Sequence, residues 1–137
     1  MSTNPSHPFT GPELKRLTPV LIVDAVEPCI RFWTDLGFKA ENEVPGANGA
    51  LMFASAKKGD VEVMYQTRAS VVADNPALDK ELEGHSISLF IAVANLDDVE
   101  KAVAGAPVFK ARHKTFYGST ELYVREPGGN VVGFAQF

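Results

Sequence analysis

The chain is 137 residues long, 45% hydrophobic and 22% charged, with 13 Lys and Arg against 17 Asp and Glu for a formal net charge of −4. Those values are typical of one globular domain; they argue against wholesale disorder, and the mild acidity argues against the basic footprint of a nucleic-acid binder. The single cysteine, Cys29, rules out an intrachain disulfide and a cysteine-cluster metal site, and no apolar run approaches the ~20 residues of a membrane-spanning helix.

Residues 1 to about 14 contain Pro5, Pro8 and Pro12 and read as a flexible arm ahead of a single domain over 15–137. Met1-Ser2-Thr3-Asn4-Pro5 is not a basic stretch followed by an apolar one, so no signal peptide is expected and the cytoplasm is the expected compartment. Pro19-Val20-Leu21-Ile22-Val23 reads as a strand. Glu27 to Gly37 reads as a helix, with Pro28 suited to its first turn, Ile30, Trp33 and Leu36 on one face, and Gly37 as its stop. An extended edge over 38–43 leads to the turn cluster Pro45 to Gly49. The strands 51–55 and 61–66 are joined by a tight Lys58-Gly59-Asp60 turn. The polar connector, about 68–84, holds a short helix over 76–83 whose acids form a solvated face. Beyond it come a strand over 87–93, a helix over 97–104, and strands over 108–112, 120–125 and 131–137. Pro127-Gly128 fits the central positions of a type II turn.

The two halves superpose. Gly59-Asp60-Val61 and Gly129-Asn130-Val131 stand 70 residues apart, and the same offset pairs Val23 with Val93, Gln66 with Gln136 and strand 51–55 with strand 121–125. The order strand, helix, strand, strand, strand occurs twice, as expected of an internal repeat. The fold class is therefore α+β: two tandem βαβββ modules, about 15–67 and 85–137, forming curved sheets with helices outside.

The order and motifs resemble the vicinal oxygen chelate superfamily of glyoxalase I, bleomycin-resistance proteins and extradiol dioxygenases. The resemblance spans about 17–137. It is carried by the first strand, by Phe32-Trp33-Thr34-Asp35-Leu36-Gly37-Phe38, by Tyr117-Gly118 with Glu121, and by Glu126-Pro127-Gly128-Gly129-Asn130. Metal-dependent members hold a divalent ion on four inward side chains, typically His, Glu or Gln. Aligned through the helix starts and the Gly-Asn turn, the matching positions are Thr18, Val63, Ser88 and Gly133. Two of these lack a donor and two offer only neutral hydroxyls, which suit Zn, Ni, Mn or Fe poorly. The resemblance thus implies the metal-free, bleomycin-resistance-like branch, with no cofactor and a homodimer whose clefts lie at or near the subunit interface.

Alternation along the strands assigns the concave wall to Val20, Ile22, Phe53, Val63, Tyr65, Phe90 and Tyr123, with Glu121 and Ser88 as polar points. Such an apolar, aromatic cleft with few polar groups suits a small molecule; the alternative is that these aromatics fill the trough as core. The expected ligand-binding residues are Phe53, Val63, Tyr65, Ser88, Phe90, Glu121 and Tyr123, and no catalytic residue is assigned. Glu121 reads either as a polar anchor or base with a raised pKa, or as a partner of Arg112, Lys114 or Arg125. His7 falls in the arm, His85 points to the opposite face from Ser88, and His113 reads as an exposed loop residue. Cys29 and Trp33 read as core. The leading expectation is metal-independent capture of an apolar or aromatic compound. The alternative is a divalent-metal lyase, isomerase or dioxygenase with atypical ligands such as His85, His113 or Glu121.

Overall fold

The computed structural model describes residues 11–13 and 15–137; His7 and most of the expected arm lie outside them. Strands β1 (Val20–Val23), β2 (Lys39–Pro45), β3 (Leu51–Lys58) and β4 (Val61–Thr67) form a sheet in the order β1-β4-β3-β2, with helix α1 (Val26–Thr34) on one face. A connector of two short helices, α2 (Arg68–Asp74) and α3 (Leu78–Glu81), leads to the second half. There β5 (Ser88–Ala92), β6 (Val108–Lys114), β7 (Thr120–Arg125) and β8 (Val131–Gln136) repeat the pattern as β5-β8-β7-β6, under α4 (Leu96–Ala102). In each sheet the first strand runs parallel to the last, and the other pairs are antiparallel. Among the described residues, no helix is long and apolar enough to cross a membrane.

The helix faces account for this arrangement. Val26, Cys29, Ile30 and Trp33 recur at helical spacing and are all buried against the first sheet. Pro28 sits in the first turn, where no intrahelical acceptor is lost. Helix α2 lies in the polar connector ahead of the helix expected over 76–83; the Thr67 hydroxyl starts it by accepting from the Ser70 N–H at 3.2 Å. The expected type II turn is not formed. Gly129, not Gly128, takes the positive φ, at +88°. Gly128 is needed for a different reason: a Cβ there would stand 2.5 Å from Val23 Cγ1.

One core joins the halves: Leu21, Val23, Val63 and Tyr65 belong to the same buried cluster as Leu122, Val124, Val132 and Phe134. A buried polar chain crosses the seam. Trp33 Nε1 donates to Tyr65 Oη at 2.9 Å, and Tyr65 Oη donates to Glu126 Oε2 at 2.6 Å. Glu126 Oε1 accepts from the Asn130 backbone N–H at 2.6 Å and from its Nδ2 at 3.2 Å. Burial pushes the Tyr65 hydroxyl well above its ordinary value of 10, and the neighbouring Glu126 carboxylate adds to the shift. Cys29, fully buried beside the same carboxylate, is pushed up to about 12, chiefly by burial.

This chain corrects two expected cleft residues. Val63 is 2% exposed and Tyr65 0%, and both face α1 rather than the open side of the sheet. The cause is register. Leu21 lies opposite Tyr65, and Ile91 opposite Phe134. Tyr65 thus matches Phe134, 69 residues on, while the first strands match at 70. The Gly59-Asp60 loop is shorter than Glu126–Asn130, so aligning the glycines displaces β4 by one residue. One residue of slip exchanges the faces of a strand. The structural counterpart of Gly133 is Met64, and the counterpart of Gln66 is Ala135 rather than Gln136.

Candidate functional site

The candidate site lies on the second sheet, on the face away from α4. Leu122 and Val124 turn into the core, so Glu121, Tyr123 and Arg125 stand on the open face. Two rows of residues cross the strands here. One runs His113, Glu121, Ala135, Ala92, and the other Lys110, Tyr123, Gly133, Phe90. The β6–β7 hairpin tip reaches over the first row. It closes through the Thr115 N–H donating to Ser119 O at 2.9 Å and the Ser119 N–H donating to Thr115 Oγ1 at 3.1 Å.

This tip surrounds Glu121 with hydroxyls. Oε2 accepts from Tyr117 Oη at 2.6 Å and from Ser119 Oγ at 2.7 Å, and Oε1 accepts from Tyr123 Oη at 2.9 Å. Ser119 spends its only hydroxyl hydrogen on the carboxylate, so Thr115 Oγ1 is the donor in its 2.8 Å contact with Ser119 Oγ. The Glu121 residue is only 1% exposed, screened by its own donors. The Tyr117 hydrogen bond is the main force holding its carboxyl below the usual value of 4.5; Ser119, Tyr123 and the charge of His113 act in the same direction, against desolvation. The expected raised pKa is thus overturned, and so is pairing with Arg112, Lys114 or Arg125. Arg112 instead bonds Asp97 and Glu100, and Arg125 bonds the Gly129 carbonyl. Conversely, the Glu121 hydrogen bond raises the Tyr117 hydroxyl, and desolvation with the same carboxylate pushes Tyr123 up to about 12.

Above Glu121 opens a cavity of about 450 Å³ walled by Phe109, His113, Phe116, Tyr117 and Tyr123, with Lys110 and Lys114 also lining it. His113 stacks on Tyr123 with ring centres 6.2 Å apart, and Phe116 is fully exposed at the hairpin tip. A carboxylate that already accepts three hydrogen bonds is a weak base. The arrangement suits holding a ligand better than abstracting a proton.

The other expected residues are dispersed. Ser88 and Phe90 are on the open face of β5; Phe90 is 53% exposed, in line with Gly133 and Tyr123. Phe53 is on the open face of the first sheet, opposite Gln66, and does not line the Glu121 cavity. Val20 and Ile22 line a separate cavity of about 270 Å³ with Arg68 and His85. Sequence reasoning missed Tyr117, Ser119, Phe109 and Phe116 as wall and donor residues. Ser119 shares strand parity with Glu121 and was legible on that ground, whereas Tyr117 acts through the turn.

The superfamily's metal positions are tested by the same geometry. With the register corrected they are Thr18, Met64, Ser88 and Gly133: two hydroxyls, a thioether and no side chain. A Cβ on Gly133 would stand 2.3 Å from Tyr123 Cε2, so the tyrosine ring occupies the space a ligand side chain needs. These residues do not fit the divalent ion of the metal-dependent members. Among the described residues, no three His, Cys, Asp or Glu side chains converge in an arrangement able to hold a metal.

A sequence profile of the Glyoxalase/Bleomycin resistance protein/Dioxygenase superfamily matches residues 15–134. No curated protein matches the sequence. Solved structures share the fold at low identity. A glyoxalase/bleomycin resistance protein/dioxygenase family enzyme from Burkholderia phytofirmans PsJN is 18% identical with a TM-score of 0.70, over 87% of this chain and 95% of that one. TioX from Micromonospora sp. ML1 is 16% identical with a TM-score of 0.67, over 89% and 98%. Lactoylglutathione lyase from Agrobacterium tumefaciens is 17% identical with a TM-score of 0.66, over 92% and 96%. With the profile covering nearly the whole chain and the paired four-stranded sheets agreeing with it, the chain belongs to the glyoxalase/bleomycin resistance protein/dioxygenase superfamily.

Proposed function

We propose that the protein is a metal-independent binder that captures an apolar or aromatic small molecule on the open face of its second sheet. The observation that carries this reading is the aromatic-walled cavity over Glu121, whose carboxylate is held by three hydroxyl donors. It combines apolar stacking surface with one fixed polar point, as small-molecule sites do. The displacement of the superfamily's ligand position by Tyr123 supports a role without a metal. A homodimer is part of the proposal: exposed Val20 and Phe90 leave apolar surface on both open faces, and a second copy would cover it.

Native mass spectrometry of the purified protein, with and without Zn, Ni, Mn and Fe(II), tests the reading. The expected species is two subunits carrying no metal, with added ions bound only nonspecifically. One metal retained per subunit would overturn it.

A further inference from the structure

The polarity of the Glu121 site specifies more than an aromatic ligand. Tyr117, Ser119 and Tyr123 each commit their single hydroxyl hydrogen to the carboxylate. The two phenol oxygens therefore offer a ligand only lone pairs. Oε2 already accepts two hydrogen bonds and Oε1 accepts one, which leaves an acceptor position on Oε1. His113 Nδ1 lies 2.8 Å from the Ala111 carbonyl oxygen, which cannot donate. A proton is therefore assigned to Nδ1 and is spent on the backbone. The innermost groups, the Glu121 carboxylate and the two phenol oxygens, thus accept hydrogen bonds and have none to give. Lys110 and Lys114 bring ammonium donors to the same cavity, on solvent-exposed residues of the edge strand β6.

We infer that this site selects aromatic molecules whose inner end is a protonated amine, with any acceptor or anionic group directed outward to Lys110 and Lys114. The inference rests on the capture reading above and adds the ligand's chemical class. An ammonium carries three donors and no acceptor. It meets Oε1 and the phenol oxygens, and the faces of Tyr117, Tyr123 and Phe116 suit a cation. A carboxylate placed at the same depth would face Glu121 and the tyrosine lone pairs with no donor to receive it.

Three probes sharing one ring system separate the possibilities: 2-naphthylmethylamine, 2-naphthoate and 2-methylnaphthalene, titrated into the full chain by fluorescence and by backbone amide shifts. The amine is expected to bind at least about tenfold more tightly than the naphthoate, as a charge-assisted hydrogen bond would give. It should also shift the amides around residues 113–123. Glu121→Gln is expected to remove about tenfold of the amine's affinity and to weaken 2-methylnaphthalene by a smaller factor. Because Glu121 is buried, Tyr117→Phe at a half-exposed position provides a second variant, expected to weaken the amine severalfold with the thermal melt retained. Equal or tighter binding of the naphthoate at this cavity would overturn the donor rule and leave capture standing. So would amine affinity indifferent to both substitutions. Failure of all three probes to perturb residues 113–123 would overturn both.

Discussion

The two sheets match strand for strand, yet their open faces have opposite chemistry. Ala54 lies opposite Tyr65 as Leu122 lies opposite Phe134, so Phe53 is the counterpart of Glu121 and Ser55 that of Tyr123. The row Val44, Phe53, Gln66, Ile22 in the first sheet corresponds to His113, Glu121, Ala135, Ala92 in the second. In the first sheet Ser55 is fully buried, donating to the Glu41 carbonyl and accepting from Asn42 Nδ2. In the second, small side chains at Ala92, Gly133 and Ala135 leave room for a carboxylate and the tyrosines that serve it. The shared plan is maintained by helix-side residues, which cannot change without opening the core. The open-face residues Phe53, Glu121 and Tyr123 lie outside that core cluster, which leaves them freer to diverge.

The largest expected effect comes from breaking the seam that makes the two halves one unit. Glu126→Ala leaves the Tyr65 hydroxyl and the Asn130 N–H unpaired in a buried site, and a loss of roughly 3 kcal/mol is expected from urea denaturation. Two resolved transitions in that variant would show that the halves fold separately. Next is Gly133→Glu, which restores a carboxylate at the superfamily position. It drives Tyr123 from its place, with about 1–3 kcal/mol lost by overpacking and no stoichiometric metal gained in mass spectrometry.

Titration sharpens the contrast further. All three tyrosines of the chain have hydroxyls raised above the ordinary value of 10: Tyr65 by burial at the seam, Tyr123 by desolvation with Glu121 adding to it, and Tyr117 by its hydrogen bond to Glu121. Tyrosinate absorbance is expected to begin rising at a higher pH in the native protein than in the unfolded chain. Glu121→Gln should release Tyr117 and Tyr123 downward and leave Tyr65 unchanged. The stability these groups contribute is full below pH 10 and is lost as pH rises through their folded values. The contribution of Glu121, whose value is lowered, has the reverse sign: present above pH 4.5 and lost as pH falls below it. A stability gap between wild type and Glu121→Gln that persists unchanged below pH 4 would contradict the geometry. Cys29, with its thiol held near 12, should resist alkylation at pH 8 in the native state and react after unfolding. The smallest effect is expected for Arg112→Ala, which removes only exposed ion pairs to Asp97 and Glu100 and should leave the melting curve within error.

Much of the architecture was legible because it rests on local patterns. The spacing of Ile30 and Trp33, the strand pairs around Gly59 and Gly129, and the repeated element order each report a periodicity that burial imposes. Leu122 and Val124 likewise told which way Glu121 and Tyr123 face. The same reasoning misassigned Val63 and Tyr65, because a one-residue difference between two turns is invisible in an alignment of their glycines. It also reversed the sign of the Glu121 shift. The strand context announced burial, but the three hydroxyl donors come partly from a hairpin tip whose closure is a tertiary event.

By itself the sequence determined the α+β class, the duplication, the helix-side core and the poor donor set at the superfamily's metal positions. These follow from residue types and their period. Only the tertiary structure decided which face β4 presents, that the Tyr123 ring fills the space above Gly133, and that Tyr117 and Ser119 fold back onto Glu121. Those outcomes depend on turn lengths and cross-strand register. Register is set by how two distant segments share one core, which neither segment records alone.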